Sequence, residues 1–183
     1  MPEGLTRTVL FPFLIVAAAG FILSVAAHIY GLMGWTVPGG KAVWLLHIGI
    51  FIVWIPTVLI GMRVTRGGAR RDFWKMALAG CPNWMRYGFY GVFAYAAINF
   101  ILFMGATGHT HPQGDAPPSV VRGFSGHWMV FYYAAFAVLY SAIHRPQLLK
   151  TRLCQNGHPV SHADSFCPTC GAALTPAIAQ TPS

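Results

Sequence analysis

The sequence predicts an all-α integral membrane protein, a bundle of four transmembrane helices that ends in a small cytoplasmic zinc ribbon or knuckle. Three observations carry that prediction. Charged residues are only 9% of the chain, against roughly 25% in soluble globular proteins, and the mean hydropathy is +0.54. Four apolar runs reach the length of about 20 helical residues that a hydrocarbon core requires. After the last run, Cys154, His158, Cys167 and Cys170 stand at four-ligand zinc spacing.

The runs extend from Val9 to Gly31, Val43 to Val64, Tyr87 to Ala106 and Phe124 to Ile143. A backbone in lipid must satisfy its own hydrogen bonds, so continuous runs of this kind are helices, which Pro12 and Pro56 at most kink. Residues 1–148 are expected to form the transmembrane domain, 149–173 the zinc ribbon and 174–183 a disordered tail rich in Ala, Thr and Pro. Ser24-Val25-Ala26 looks like a small-residue cleavage site, but a single Arg7 ahead of a long apolar run favours a retained helix over a signal peptide.

The basic residues set the orientation. Arg63, Arg66, Arg70, Arg71, Lys75 and Arg86 lie between the second and third spans, and Arg145, Lys150 and Arg152 follow the fourth. The positive-inside rule places both groups in the cytoplasm, and an even number of spans brings the N-terminus there too, with Lys41 and Arg122 outside. Arg70 to Ala79 mixes cations with Phe73, Trp74, Met76 and Leu78, which suits either a short interfacial helix on anionic lipid or a solvated basic loop.

The net charge of +8 gathers at the ends of apolar runs rather than on one face, which argues against a nucleic-acid partner. Glu3, Asp72, Asp115 and Asp164 all lie outside the spans, so a proton relay or cation pathway through membrane carboxylates is not expected. No nucleophile and base stand at recognisable spacing and there is no phosphate loop. No catalytic residue is assigned, and catalytic activity of its own is not expected.

Cys154-Gln-Asn-Gly-His158 and Phe166-Cys167-Pro-Thr-Cys170-Gly171 resemble the short zinc-ribbon tails attached to many prokaryotic proteins. The resemblance spans about 20 residues. It implies a structural zinc held by Cys154, His158, Cys167 and Cys170 at two tight turns opened by Gly157 and Gly171, in a prokaryotic inner or plasma membrane protein. His162 competes with His158 for the fourth position. Zinc would supply the folding free energy of so short a segment, and thiol ligands fit the reducing cytoplasm that the charge pattern indicates. Cys81, alone in a basic loop, is given no role.

On the outer side, His28, His47 and His127 fall at one depth on three helices, with His109 and His111 in the loop above them. His28 shares a helical stripe with Ser24, Gly20 and Ala17, and His127 with Phe131, Ala134, Ala135 and Ala142. Small residues mark packing faces, so both point inward, whereas His47 suits either lipid or the interior. The histidines can be read as bonding between helices, as holding one b-type haem between His28 and His127, or as a copper or zinc site that also uses His47, His109 and His111. A second haem has only His144, off the His127 stripe, and Arg122 suits either a haem propionate or the interface.

The leading expectation is a small accessory or scaffold subunit of a larger membrane complex, with lipid around the bundle and protein partners at the zinc ribbon. The alternatives are an electron-transfer subunit with one haem and an outer-face metal binding or delivery protein.

Overall fold

The computed structural model describes residues 3–66, 70–107, 114, 116–162 and 164–175. Its helices are α1 (Glu3–Met33), α2 (Leu45–Val64), α3 (Phe73–Ala77), α4 (Asn83–Thr107) and α5 (Pro118–His144). Single 3₁₀ turns occupy Gly40–Trp44, Arg70–Asp72 and Pro146–Leu149, and the strands β1 (Arg152–Leu153) and β2 (Pro159–Val160) follow. Four helical stretches, Arg7–Met33, Gly40–Val64, Asn83–Gly105 and Pro118–His144, are long and apolar enough to cross a membrane. Each begins before the apolar run that predicts it. The fourth does so because Pro118 takes the first helical position, where its preset φ costs nothing and its missing N–H would have no partner anyway.

α5 is the hub, packed against α1, α2 and α4. Its composition explains this. Gly123, Ser125, Gly126, Ala134, Ala135, Ala137, Ser141 and Ala142 are all buried, and small residues let neighbouring helix backbones approach. Its large aromatics then fill notches in those neighbours. A Cβ added at Gly20 of α1 or Gly49 of α2 would overlap Tyr132, whose hydroxyl donates to the Leu46 carbonyl at 2.8 Å. The outer faces of α1, α2 and α4 expose Ile22, Leu23, Phe51, Ile55, Leu59, Ile98 and Ile101, an apolar surface suited to hydrocarbon.

α1 and α5 run antiparallel. Leu10 packs on Leu139 and Ala142 at one end, and His28 meets Ser125 at the other. These are called below the arginine end and the histidine end.

At the arginine end the basic segment contains the short helix α3 and turns its apolar side chains into the bundle. Met76, Ala77, Leu78, Ala79 and Cys81 are buried, and Leu78, Cys81, Met85 and Phe89 form one cluster with Tyr133, Ala134 and Val138 of α5. Cys81 donates its thiol proton to the Ala137 carbonyl at 3.1 Å, and the Arg86 guanidinium donates to the Leu78 and Ala79 carbonyls at 3.0 and 2.7 Å. The segment has enough apolar side chains to plug the gap between α2, α4 and α5, and Arg86 satisfies the carbonyls left behind.

The C-terminal segment lies against this plug. The Ser161 hydroxyl contacts the Met76 sulfur at 3.4 Å, and the Arg63 Nε of α2 donates to the Leu149 carbonyl at 3.2 Å. Two residues of the expected tail, Leu174 and Thr175, are held by hydrogen bonds. The Leu174 N–H donates to the Ser165 carbonyl at 2.7 Å and the Thr175 carbonyl accepts from Arg152 at 2.6 Å. Residues 176–183 lie outside the described residues.

Candidate metal centre

β1 and β2 pair antiparallel, Arg152 opposite Val160 and Leu153 opposite Pro159, so residues 154–158 form the turn of a hairpin. Within it the Cys154 N–H donates to the His158 carbonyl at 2.9 Å and the Gly157 N–H to the Cys154 carbonyl at 3.0 Å. Gly157 has φ +78°, in the left-handed region that glycine enters without a Cβ penalty. The second turn repeats the device. The Gly171 N–H donates to the Cys167 carbonyl at 2.9 Å, Gly171 has φ +71°, and Phe166 bridges Ala173.

The two turns aim four donor atoms at one point. The sulfurs of Cys154, Cys167 and Cys170 and a ring nitrogen of His158 lie within 4.8 Å of one another. A tetrahedral zinc with Zn–S of about 2.3 Å and Zn–N of about 2.0 Å requires edges of about 3.8 Å between sulfurs and about 3.5 Å between sulfur and nitrogen. Cys154 Sγ stands 3.8 Å from Cys170 Sγ and 3.5 Å from His158 Nδ1, and Cys167 Sγ stands 3.9 Å from the same nitrogen. The group could therefore hold a metal ion such as zinc.

Backbone N–H groups prepare the sulfurs for that role. The Ala172 N–H and then the Asn156 side chain push the Cys170 thiol down to about 7. Burial raises Cys167, but the N–H groups of Cys170 and Thr169 outweigh it and leave its pKa below the usual thiol value. Burial pushes Cys154 up, partly offset by the His158 and Asn156 N–H groups. The grouped histidine is His158, and His162 lies outside the group. Its Nε2 donates to the Lys150 carbonyl at 3.0 Å.

Among the described residues the histidine end gathers no comparable set. His28 is buried as its stripe predicts, but both ring nitrogens are engaged, Nδ1 with the Ser125 hydroxyl at 2.8 Å and Nε2 with the Tyr95 hydroxyl at 2.6 Å. His47 is solvent-exposed and its Nδ1 accepts from Trp128 Nε1 at 3.0 Å. His127 is half-buried and meets the Phe100 ring edge-on at a centroid distance of 4.6 Å. A haem ligand must present a free nitrogen, and His28 has none without giving up one of these hydrogen bonds, so the geometry lends haem no support. Arg122 donates to Asn99 at 3.3 Å, and Asn99 to the Arg122 carbonyl at 3.0 Å. His109 and His111 lie outside the described residues.

Sequence reasoning missed two partners here. Tyr95 stands one helical turn before Asn99, on the same polar stripe of α4, and that spacing could have found it. Trp128 carried no signal beyond its place beside His127.

No family model, curated protein or solved structure matches this chain.

Proposed function

We propose that this chain is a small integral membrane accessory subunit, with both ends in the cytoplasm and a structural zinc knuckle that contacts another protein of a membrane complex. The convergence of Cys154, His158, Cys167 and Cys170 at tetrahedral spacing carries this reading. Bound zinc would have every position filled by protein, so it would supply folding free energy rather than a reactive water. The cations that line the arginine end support the cytoplasmic assignment.

Two further observations support a role in contact rather than chemistry. Leu153 and Phe166, beside the first and second turns, are 56% and 66% exposed, although they flank the cluster that holds the knuckle together. At the histidine end His28 pairs with Ser125 and Tyr95, His47 with Trp128 and Asn99 with Arg122, pairs that tie helices together.

The test is the size of the complex that the full chain forms in its native membrane, measured after mild solubilisation. Cys167→Ser with Cys170→Ser, and separately Phe166→Ser, are expected to release the chain from a larger assembly, whereas His28→Ala leaves the assembly intact. An assembly unchanged by both knuckle variants would sink the proposal.

A further inference from the structure

Between the end of α2 and the knuckle lies a cavity of about 220 Å³, lined by Arg63, Arg66, Leu149, Lys150, Thr151, Arg152, Pro159, Val160 and His162. At roughly 30 Å³ per water, it has room for a phosphate-sized group. Four cations line it and, among the described residues, no carboxylate does. The geometry points to a site for a phosphate-bearing anion, either a lipid headgroup or a free phosphate, distinct from the metal centre.

The cations divide by role. Arg152 is committed to the knuckle, its guanidinium donating to the Ser161, Asp164 and Thr175 carbonyls at 3.1, 3.3 and 2.6 Å, so it lends the cavity charge more than donors. Arg63 gives its Nε to Leu149, one of the five N–H donors of a guanidinium. Arg66 and Lys150 stand with it on the wall. The C-terminal end of α2 carries roughly half a negative charge, which opposes an anion, but four formal positive charges outweigh it. Like charges this close repel, and an anion between them reverses the sign of that interaction.

His162 supplies an independent sign of a ligand. It lines the cavity, it is 9% exposed, and its Nδ1 is buried without a hydrogen-bond partner. A buried polar atom left unpaired costs about 1–3 kcal/mol, so such atoms are rare. Inorganic phosphate or a phosphomonoester offers both acceptor oxygens and a hydroxyl, and so suits either protonation state of that ring.

The cavity is made where two elements meet. Arg63 comes from the last turn of α2 and Arg66 from just beyond it, and the opposite wall comes from the chain that follows α5 into the metal centre. Occupancy would therefore bind the knuckle to the bundle, and would place a lipid headgroup at the level where α2 leaves its apolar stretch. The lipid source rests on the membrane reading above; the free-phosphate source does not.

The experiment uses the full, metal-loaded chain at low salt in a neutral detergent, titrated with inorganic phosphate by calorimetry. A second arm uses nanodiscs of phosphatidylcholine containing phosphatidylglycerol, with retained lipid read by native mass spectrometry. Loss of Arg63 and Arg66 as Arg63→Gln with Arg66→Gln is expected to weaken binding about tenfold or more. Arg66→Gln alone gives a smaller loss and guards against misfolding of the double variant. Lys75→Gln removes one positive charge, as Arg66→Gln does, from an exposed site outside the cavity and is expected to change nothing. Metal content, measured on every variant, separates a failed cavity from a failed knuckle. Saturable phosphate binding lost in the arginine variants supports a free anion. Selective retention of phosphatidylglycerol without phosphate binding supports a headgroup. Binding absent in both arms, or reduced equally by Lys75→Gln, overturns the site.

Discussion

The two ends of the molecule use imidazole in opposite ways. In the knuckle, His158 Nδ1 faces sulfurs at 3.5 and 3.9 Å, on a segment too short to bury a core. At the histidine end, His28 is enclosed in the bundle and answers two hydroxyls, Ser125 from α5 and Tyr95 from α4. One imidazole is poised for a metal because backbone turns bring thiols to it. The other has its nitrogens engaged with hydroxyls of two other helices, so it joins three helices. The surroundings of a histidine, more than its presence, decide whether it can be a ligand.

The largest effect should come from removing the metal. Chelation, or Cys167→Ser with Cys170→Ser, is expected to unfold residues 152–175 while leaving the helical bundle intact. Metal analysis would fall from about one ion per chain to near zero, with little change in helical circular dichroism. An ordered knuckle without metal would break the comparison.

Next in size are the bundle substitutions. Gly20→Leu drives a side chain into Tyr132, and overpacking of this kind costs about 1–3 kcal/mol or more. His28→Ala leaves the Ser125 and Tyr95 hydroxyls without their shared partner. Interhelical hydrogen bonds in membranes average about 0.6 kcal/mol, so a loss of roughly 1–2 kcal/mol is expected, read as a shifted midpoint in mixed-micelle unfolding. Metal content should not move. If it does, the two ends are not separate.

The pH dependence of the knuckle has a definite sign. A thiol pKa held down in the fold, as at Cys170, stabilises the folded cluster above the ordinary thiol value of about 9 and loses that contribution as pH falls through about 7. Metal retention against a fixed chelator should therefore decline between pH 8 and pH 6. An acid-insensitive metal would argue against thiolate ligands.

The smallest effect separates the cysteines. Burial pushes the Cys81 thiol up to about 12, and its proton is donated to the Ala137 carbonyl. Alkylation at pH 8 after chelation is therefore expected to label Cys154, Cys167 and Cys170 and spare Cys81. A fourth adduct on the folded bundle would show that the plug beneath α5 opens.

Much of this was legible in the chain because it is local. An apolar run predicts a helix from composition, Cys154-x3-His158 and Cys167-x2-Cys170 predict turns from spacing, and the stripe of Ala17, Gly20, Ser24 and His28 predicts a buried face from helical periodicity. Spacing could not choose between His158 and His162, which lie four residues apart on one hairpin arm and its exit. The folded turns group His158, and not His162, with the three cysteines.

The sequence by itself determined four helices able to cross a membrane and four metal-suited residues at the end, since both depend on neighbours a few positions apart. Only the tertiary structure decided that His28 joins Ser125 and Tyr95, 97 and 67 residues away, that the basic segment folds inward as a plug, and that Arg63 and Arg66 share a cavity with His162. The physical reason is that a polar side chain takes whichever partner the packing of distant helices brings to it, and that packing depends on which small residues of α5 face which neighbour.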